Sequence, residues 1–139
     1  MADIEKLIPQ RAPVVMVDAF LGVEGDDSFS ELTVREDNIF LDGDFLTECG
    51  LIEHIAQSAA ARVGYVCEQK GIPVPVGFIG SVNIFHIVRL PGIGEKLETV
   101  VSVIQKVFQI TLVEAKVRIG DDVIAGCRMK IFLDTDEDA

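Results

Sequence analysis

The sequence has 139 residues, of which 49% are hydrophobic, and it carries a formal net charge of −11 at pH 7. This length fits one domain with a real core, and the acidity argues against nucleic-acid binding through electrostatics alone. No stretch of about 18 apolar residues is free of charge, so a membrane span is not expected. The high apolar content of so small a chain favours an oligomer that buries an apolar face.

The N-terminal sequence and the cysteines predict the cellular compartment of the protein. The N-terminus has no basic start followed by an apolar stretch, so no secretion signal is expected. Cys49, Cys67 and Cys127 are odd in number and far apart, which is typical of free thiols in a reducing cytoplasm rather than of a metal site. No metal or other cofactor is predicted. The acidic residues 134–139 predict a frayed tail after a single domain at 1–133.

The first third of the chain predicts a short helix, a hairpin and a loop. Residues 4–11 favour a short helix that ends near Pro9. Residues 14–23 favour a strand because they are apolar and β-branched, and residues 28–35 favour a second strand because their polarity alternates. A turn sequence at 24–27 joins the two strands. Residues 37–48 mix glycine, acidic and aromatic residues without a period, which predicts a loop.

Residues 49–69 form the longest helical pattern. This stretch is rich in alanine, lacks proline and is followed by Gly71, and Thr47 or Glu48 would cap its start. Its polar side chains fall on one stripe, made of Glu53, His54, Gln57, Ser58 and Arg62. The other positions are apolar or small, so most of the helix circumference should be buried.

Four strand-like runs follow the helix, at 76–88, 97–108, 109–119 and 123–133. Glycine-containing turns separate some of them, whereas the boundary near Gln109 has no strong turn signal. One buried helix followed by a meander of strands predicts an α+β fold with the sheet curled around the helix. The two sheet edges invite pairing with a second copy, so we expect a homodimer or a larger even-numbered assembly.

Glu53 is the first candidate for chemistry, because it lies early in an otherwise apolar helix. A carboxylate there can simply complement the helix dipole. Alternatively, a carboxyl group held among apolar side chains keeps its proton to higher pH and can act as a general acid. Gln57, one turn later, can hydrogen-bond to that carboxyl and orient it, or can be a surface residue.

The start of the helix offers a second function. The backbone N–H groups near Gly50 and Leu51 are expected to lack partners within the helix. They would then bind a carbonyl oxygen and stabilise the negative charge that develops on it. The alternative is an ordinary glycine near a helix start.

The other nucleophilic and basic side chains have weaker signals. His54 is either a partly exposed polar residue or a general base, and His86 fits a structural residue in a strand. Cys49 precedes the helix, where a thiolate would be stabilised. No motif places a base beside it, so Cys49 is interpreted as a buried or semi-buried thiol.

Three segments together carry a family resemblance. Residues 7–18, LIPQRAPVVMVD, are similar to an LLPHRxPFLLVD opening, and 50–57, GLIEHIAQ, to a helix segment that ends in Glu-x-x-Ala-Gln. Gly80, then Arg89 and the GEKL of 94–97, are similar to a strand glycine followed by arginine and Gly-Asp-x-Leu. In this order the segments resemble the β-hydroxyacyl-acyl-carrier-protein dehydratases, particularly the dehydratase-like proteins of aryl-polyene and flexirubin pathways.

The resemblance implies a hotdog fold, in which a curved antiparallel sheet wraps a long helix, and sites at subunit interfaces. It also implies a 3-hydroxyacyl thioester substrate of fatty-acid or polyene-type biosynthesis, carried by acyl-carrier protein or coenzyme A. In that family a loop histidine removes the α proton, and a helix acid of the partner subunit assists departure of the hydroxyl. Helix N–H groups hold the thioester carbonyl. The helix acid maps onto Glu53.

One departure from the family matters for catalysis. Its His-Phe-Pro-Gly loop has no counterpart in residues 41–48, which lack histidine and proline, and Gln10 replaces the histidine of the opening motif. Either another base such as His54 operates, or a second type of subunit supplies the histidine. A thioesterase, which needs no loop histidine, and a non-catalytic acyl-binding subunit of a heteromeric dehydratase are the alternatives.

A carrier protein of acidic character would need a basic docking surface on this acidic chain. Candidate residues for such a surface are Arg62, Arg89, Lys96 and Arg128.

Overall fold

The structure is a computed structural model that describes residues 3–134, so the predicted tail lies outside the described residues except for Asp134. In chain order the elements are α1 (Ile4–Leu7), β1 (Ala19–Glu24), β2 (Asp27–Thr33), β3 (Leu41–Asp42), β4 (Phe45–Leu46), α2 (Glu48–Lys70), β5 (Val76–Ile87), β6 (Lys96–Val107), β7 (Ile110–Ile119) and β8 (Asp122–Asp134).

Six strands form one antiparallel sheet in the order β1-β2-β6-β7-β8-β5, which leaves β1 and β5 at the edges. The sheet packs on α2, and Leu51, Ile55 and Ala59 of the helix share a core with alternate residues of the strands, such as Val113 and Val117. Strands bury every second side chain when one sheet face is covered. The long helix against one antiparallel sheet is the predicted α+β hotdog architecture.

The N-terminal predictions are correct in kind but too long. The helix predicted to end near Pro9 ends at Leu7, two residues earlier, and the strand predicted at 14–23 begins only at Ala19. The cause lies in a side chain from far along the sequence. Gln57 accepts from the Met16 N–H at 2.6 Å and donates to the Val14 carbonyl at 2.7 Å. These backbone groups therefore pair with a helix side chain instead of a neighbouring strand.

The stretch predicted as a loop, residues 37–48, contains a small hairpin made by β3 and β4. It is tied to the loop before β6, because Leu46 donates to Pro91 O at 2.8 Å and Ile93 donates to Asp44 O at 2.9 Å. Two-residue strands carry no periodicity, so a hydrophobicity pattern does not reveal them.

Helix α2 matches its prediction at both ends. Thr47 is the N-cap, and Gly71 ends the helix in the left-handed conformation with φ of 69°, as expected for a glycine C-cap. The polar stripe, however, is not a solvent-facing surface: His54, Gln57 and Ser58 are fully buried. Each of these side chains has hydrogen-bond partners, which is what permits polar groups in a core.

The four later strands begin and end within two residues of their predicted bounds. The boundary near Gln109 is a tight turn, in which Phe108 adopts φ of 55° and is 91% exposed. Glycine or asparagine usually marks such a conformation. A phenylalanine there explains why the sequence shows no turn signal.

Candidate active site

A cavity of about 490 Å³ lies beside α2. Its walls are residues 5–11, the helix residues Glu53, Ala56, Ala59, Ala60 and Val63, the β5 region residues Val74, Pro75, Gly77 and Ile79, and the β8 residues Ile131 and Leu133. Small apolar side chains on the helix leave the space open. The volume and the largely apolar lining are those of small-molecule sites.

Glu53 brings a carboxylate into this cavity from the helix. Its Oε2 accepts a hydrogen bond of 2.7 Å from Nε2 of Gln57. The four-residue spacing places both side chains on the same face of the helix. Gln57 is itself fixed by hydrogen bonds to the backbone of Val14 and Met16. The Glu53 carboxylate is therefore anchored to a buried side chain of the core. Gln57 therefore makes the hydrogen bond to Glu53 that the four-residue spacing predicted, but Gln57 does not itself line the cavity.

His54 points away from the cavity and is buried against the sheet. Its Nδ1 lies 2.6 Å from the Met16 carbonyl oxygen and its Nε2 lies 2.7 Å from Oγ1 of Thr99. A carbonyl oxygen only accepts, so Nδ1 carries the proton and Nε2 accepts from the hydroxyl. Burial lowers the pKa of His54 to about 4, and the imidazole is therefore neutral at pH 7.

The interpretation of His54 as a partly exposed side chain is thus wrong. The sheet covers that side of α2, and the periodicity of the helix sequence does not show where the sheet packs. A neutral imidazole that is buried, with both nitrogens hydrogen-bonded and away from the cavity lining, is not placed to act as a base on a substrate there.

The amide groups predicted to be free are not free. Gly50 N–H donates to Oγ1 of Thr47 at 3.2 Å, and Leu51 N–H donates to the Thr47 carbonyl at 3.0 Å. Both residues are buried and neither lines the cavity. An added Cβ on Gly50 would lie 2.7 Å from Leu46 and 2.8 Å from Phe40. The glycine therefore makes room for the β3–β4 hairpin, and the predicted oxyanion role of Gly50 and Leu51 lacks its physical basis.

The remaining candidates lie apart from the cavity. Cys49 and His86 are exposed, so the interpretation of Cys49 as a buried or semi-buried thiol is wrong, and neither residue lines the cavity. Three of the predicted docking cations contact carboxylates: Arg89 with Glu95, Lys96 with Glu31, and Arg128 with Glu114. Such pairing weakens the local positive potential on which the docking prediction depends.

Residues 5–11 form a cavity wall that was not predicted from the sequence. The family-like opening at 7–18 was a signal that this segment mattered, but only the packing of α1 on α2 shows what it does. Among residues 3–134 no histidine lines the cavity, and no three His, Cys, Asp or Glu side chains are grouped to bind a metal. No helix within that range is long and apolar enough to cross a membrane.

The long helix packed on one curved antiparallel sheet defines a hotdog-fold protein, and Glu53 lies at the wall of an apolar cavity in that fold. Comparison with protein-family models gives the particular family. The ApeP-like model, described as ApeP dehydratase, matches residues 2–139, and the chain belongs to this dehydratase family. No curated protein sequence matches the chain.

Several solved structures share the fold. The dehydratase heterocomplex ApeI:P from Xenorhabdus doucetiae contains a chain that superposes with a TM-score of 0.89 at 17% identity, covering 97% of this chain and 93% of that one. A hypothetical thioesterase with coenzyme A from Streptococcus pneumoniae has a TM-score of 0.68 at 6% identity, covering 86% and 88%. The E. coli PaaI protein of the phenylacetic acid degradation operon has a TM-score of 0.64 at 14% identity, covering 81% and 80%.

Proposed function

We propose that the chain is a subunit of a dehydratase that acts on 3-hydroxyacyl thioesters of fatty-acid or polyene-type biosynthesis, with Glu53 as its catalytic acid. The observation that carries the proposal is the Glu53 carboxylate, held by Gln57 at the wall of an apolar cavity. Membership of the ApeP-like dehydratase family supports the reaction class. An acyl chain fits an apolar cavity of this volume, and its carrier would be acyl-carrier protein or coenzyme A.

Elimination of water gives Glu53 a defined task. A base takes the proton from the α carbon, and the electron pair left behind forms the double bond to the β carbon. The bond from the β carbon to its hydroxyl breaks, and that oxygen takes the proton of the Glu53 carboxylic acid and leaves as water. Gln57 donates to Oε2, so Oε1 is the oxygen that would carry this proton. Positioning of this kind contributes to general acid catalysis.

The α proton requires a base, and no histidine lines the described cavity wall. Its ionisable groups besides Glu53 are Glu5, Lys6 and Arg11, which are all exposed, and Arg11 is also engaged with backbone carbonyls. We assign the base to a second subunit. Ile79, which lines the cavity and is 45% exposed, lies on the edge strand β5, so a subunit paired with β5 would border the cavity.

The assembly that follows is a dimer or a larger even-numbered oligomer, either of identical chains or with a second dehydratase subunit. The existence of a dehydratase heterocomplex among structures of the same fold supports the heteromeric form. The three free cysteines support a cytoplasmic location, since structural disulfides dominate in oxidising compartments.

A thioesterase is the second candidate, because it would use Glu53 to activate water and needs no loop histidine. The coenzyme A complex of a hypothetical thioesterase with this fold supports that alternative. A third reading is a non-catalytic subunit that binds the acyl chain while its partner performs the chemistry.

The test compares Glu53→Gln with Glu48→Gln, because Glu48 is an exposed carboxylate in the first turn of the same helix. Turnover is measured on 3-hydroxyacyl and plain acyl coenzyme A thioesters, with the chain alone and with a second hotdog dehydratase subunit from the same organism. We expect Glu53→Gln to lose at least about a hundredfold in dehydration, the lower end of what a positioned acid contributes. Glu48→Gln should retain wild-type turnover.

Each other outcome selects an alternative. Hydrolysis of plain acyl thioesters, lost in Glu53→Gln, would establish the thioesterase. Full dehydration by a folded Glu53→Gln protein in complex would assign the chain to the acyl-binding role. Gel filtration with the second subunit shows in parallel whether a mixed complex forms.

A further inference from the structure

We propose that Arg11 is a positioning residue that fixes the N-terminal wall of the cavity and thereby sets its affinity for long acyl chains. We define the N-terminal wall as residues 5–11, all of which line the cavity. The inference rests on the proposed function, because it takes the ligand of the cavity to be an acyl thioester.

The N-terminal wall cannot hold its own shape. Its helical part, α1, has only four residues, Ile4–Leu7. Helices this short are unstable in water, because the cost of nucleation exceeds the few hydrogen bonds they form. Asp3 caps the start through a 3.2 Å hydrogen bond from Glu5 N–H. The carbonyl groups at the other end need donors from elsewhere in the chain.

Arg11 supplies a donor to one of these carbonyls, that of Glu5, and to two carbonyls just beyond the helix. Its Nη2 donates to the Glu5 carbonyl, and its Nη1 donates to the carbonyls of Ile8 and Gln10, each at 2.8 Å. The planar guanidinium thus joins the helical part of the wall to the strand-like part that follows it. Bonds from a charged donor are stronger than neutral ones, and lysine cannot reproduce the forked geometry.

The N-terminal wall is also fitted closely to α2. Leu7 and Ile8 are 2% and 3% exposed, and an added Cβ on Gly64 would lie 2.2 Å from the Leu7 carbonyl oxygen. Gly64 therefore allows the backbone of the wall to touch the helix. Because the contact is so close, a change in the wall's path alters the shape of the cavity.

The wall runs antiparallel to α2 with a defined register. The backbone of Leu7 lies against Gly64 of the helix. Farther along the chain, just beyond the wall, Val14 accepts a hydrogen bond from Gln57, which lies seven residues before Gly64. Gly64 is eleven residues beyond Glu53 in the sequence, which is about 16 Å along a helix. A butyryl chain with its thioester at Glu53 would end far from the Leu7 end of the wall, whereas an extended decanoyl chain spans roughly 11 Å and comes much closer to it.

The experiment measures binding by calorimetry for butyryl- and decanoyl-coenzyme A. Arg11→Met keeps the length of the side chain and removes its donors. The matched control is Arg128→Met, which removes an exposed arginine on β8 that does not line the cavity. We expect Arg11→Met to bind decanoyl-coenzyme A about tenfold more weakly, which is close to the contribution of one charged hydrogen bond, and butyryl-coenzyme A within about twofold of wild type.

A second readout separates positioning from general stability. The Arg11 side chain is 54% exposed, so the unfolding midpoint should stay within about 4 °C of wild type. Arg11→Lys should recover only part of the affinity for the long chain. In a turnover assay KM for the long substrate should rise while kcat changes little, since Arg11 does not contact the reacting atoms.

Two results would overturn the inference about Arg11. One is equal affinity of Arg11→Met and Arg128→Met for decanoyl-coenzyme A. The other is an equal loss for both chain lengths, which would indicate a general effect on folding. Failure of the wild-type protein to bind either thioester is a different result, because it contradicts the proposed function itself.

Discussion

Glu53 and His54 are neighbours in the sequence, and they lie on different sides of the same helix. The Glu53 carboxylate borders a cavity and keeps one oxygen for a ligand. The His54 ring is completely buried and uses both nitrogens to join the segment at Met16 to strand β6 at Thr99. One residue along an α-helix turns a side chain by about 100°, and this rotation separates a group available for chemistry from a group that holds the core.

The comparison shows that residue type alone does not identify a catalytic group. Histidine is the usual general base, and carboxylates early in a helix often serve only its dipole. In this chain the carboxylate has the open cavity and the histidine has the structural role. The predictions below test that division of roles, beginning with the largest expected effect on stability.

Replacing His54 by phenylalanine should destabilise the fold by about 4 kcal/mol. The Met16 carbonyl and the Thr99 hydroxyl would each be left buried without their partner, at about 1–3 kcal/mol apiece. His54→Asn should cost less, because an amide can still donate to Met16. Urea denaturation at pH 7 measures both values. A His54→Phe protein as stable as wild type would show that these hydrogen bonds do not hold the core.

The pH dependence of stability should carry the signature of His54. Its folded pKa is lowered from 6.5 to about 4, so between these values the unfolded chain binds a proton at this residue and the folded chain does not. Stability should therefore fall as the pH falls through this window, by about 3 kcal/mol in total. Denaturant titrations of wild type and His54→Asn at several pH values should differ in this slope. Parallel curves would contradict a buried neutral imidazole.

Gly64→Ala tests the cavity side of the helix and should cost about 2 kcal/mol. The added Cβ would lie 2.2 Å from a backbone oxygen of Leu7, which must move, and overpacking of this kind typically costs 1–3 kcal/mol. Gly77→Ala is the control, since its Cβ would meet its nearest atom at 3.4 Å. Thermal unfolding of the two variants should separate them clearly. Equal midpoints would mean that the N-terminal wall does not depend on contact with Gly64.

Much of this fold could be predicted from the sequence, because its signals are local. Helix α2 has an alanine-rich interior, a threonine cap and a glycine stop, and the long strands have apolar and β-branched runs. The predictions failed where distant residues decide the structure. The start of β1 depends on Gln57, which takes the backbone groups of Val14 and Met16. Similarly, the turn at Phe108 has no residue that marks a positive φ.

The site was predictable only in part for the same reason. Glu53 and its contact with Gln57 follow from four-residue spacing on one helix, which the sequence contains. The orientation of His54 depends on where the sheet packs, and the amides of Gly50 and Leu51 are satisfied by Thr47. The N-terminal wall lines the cavity only because α1 packs on α2, and no local sequence pattern predicts that packing.

The most direct test of the division between Glu53 and His54 is dehydration turnover by Glu53→Gln and His54→Asn, compared in the same assembly with wild type. Both proteins are first shown to be folded by circular dichroism, and rates are expressed per folded molecule. We expect Glu53→Gln to lose at least about a hundredfold, as a positioned acid would, and His54→Asn to stay within about threefold of wild type. An equal, large loss in folded His54→Asn, or full turnover by Glu53→Gln, would contradict the account.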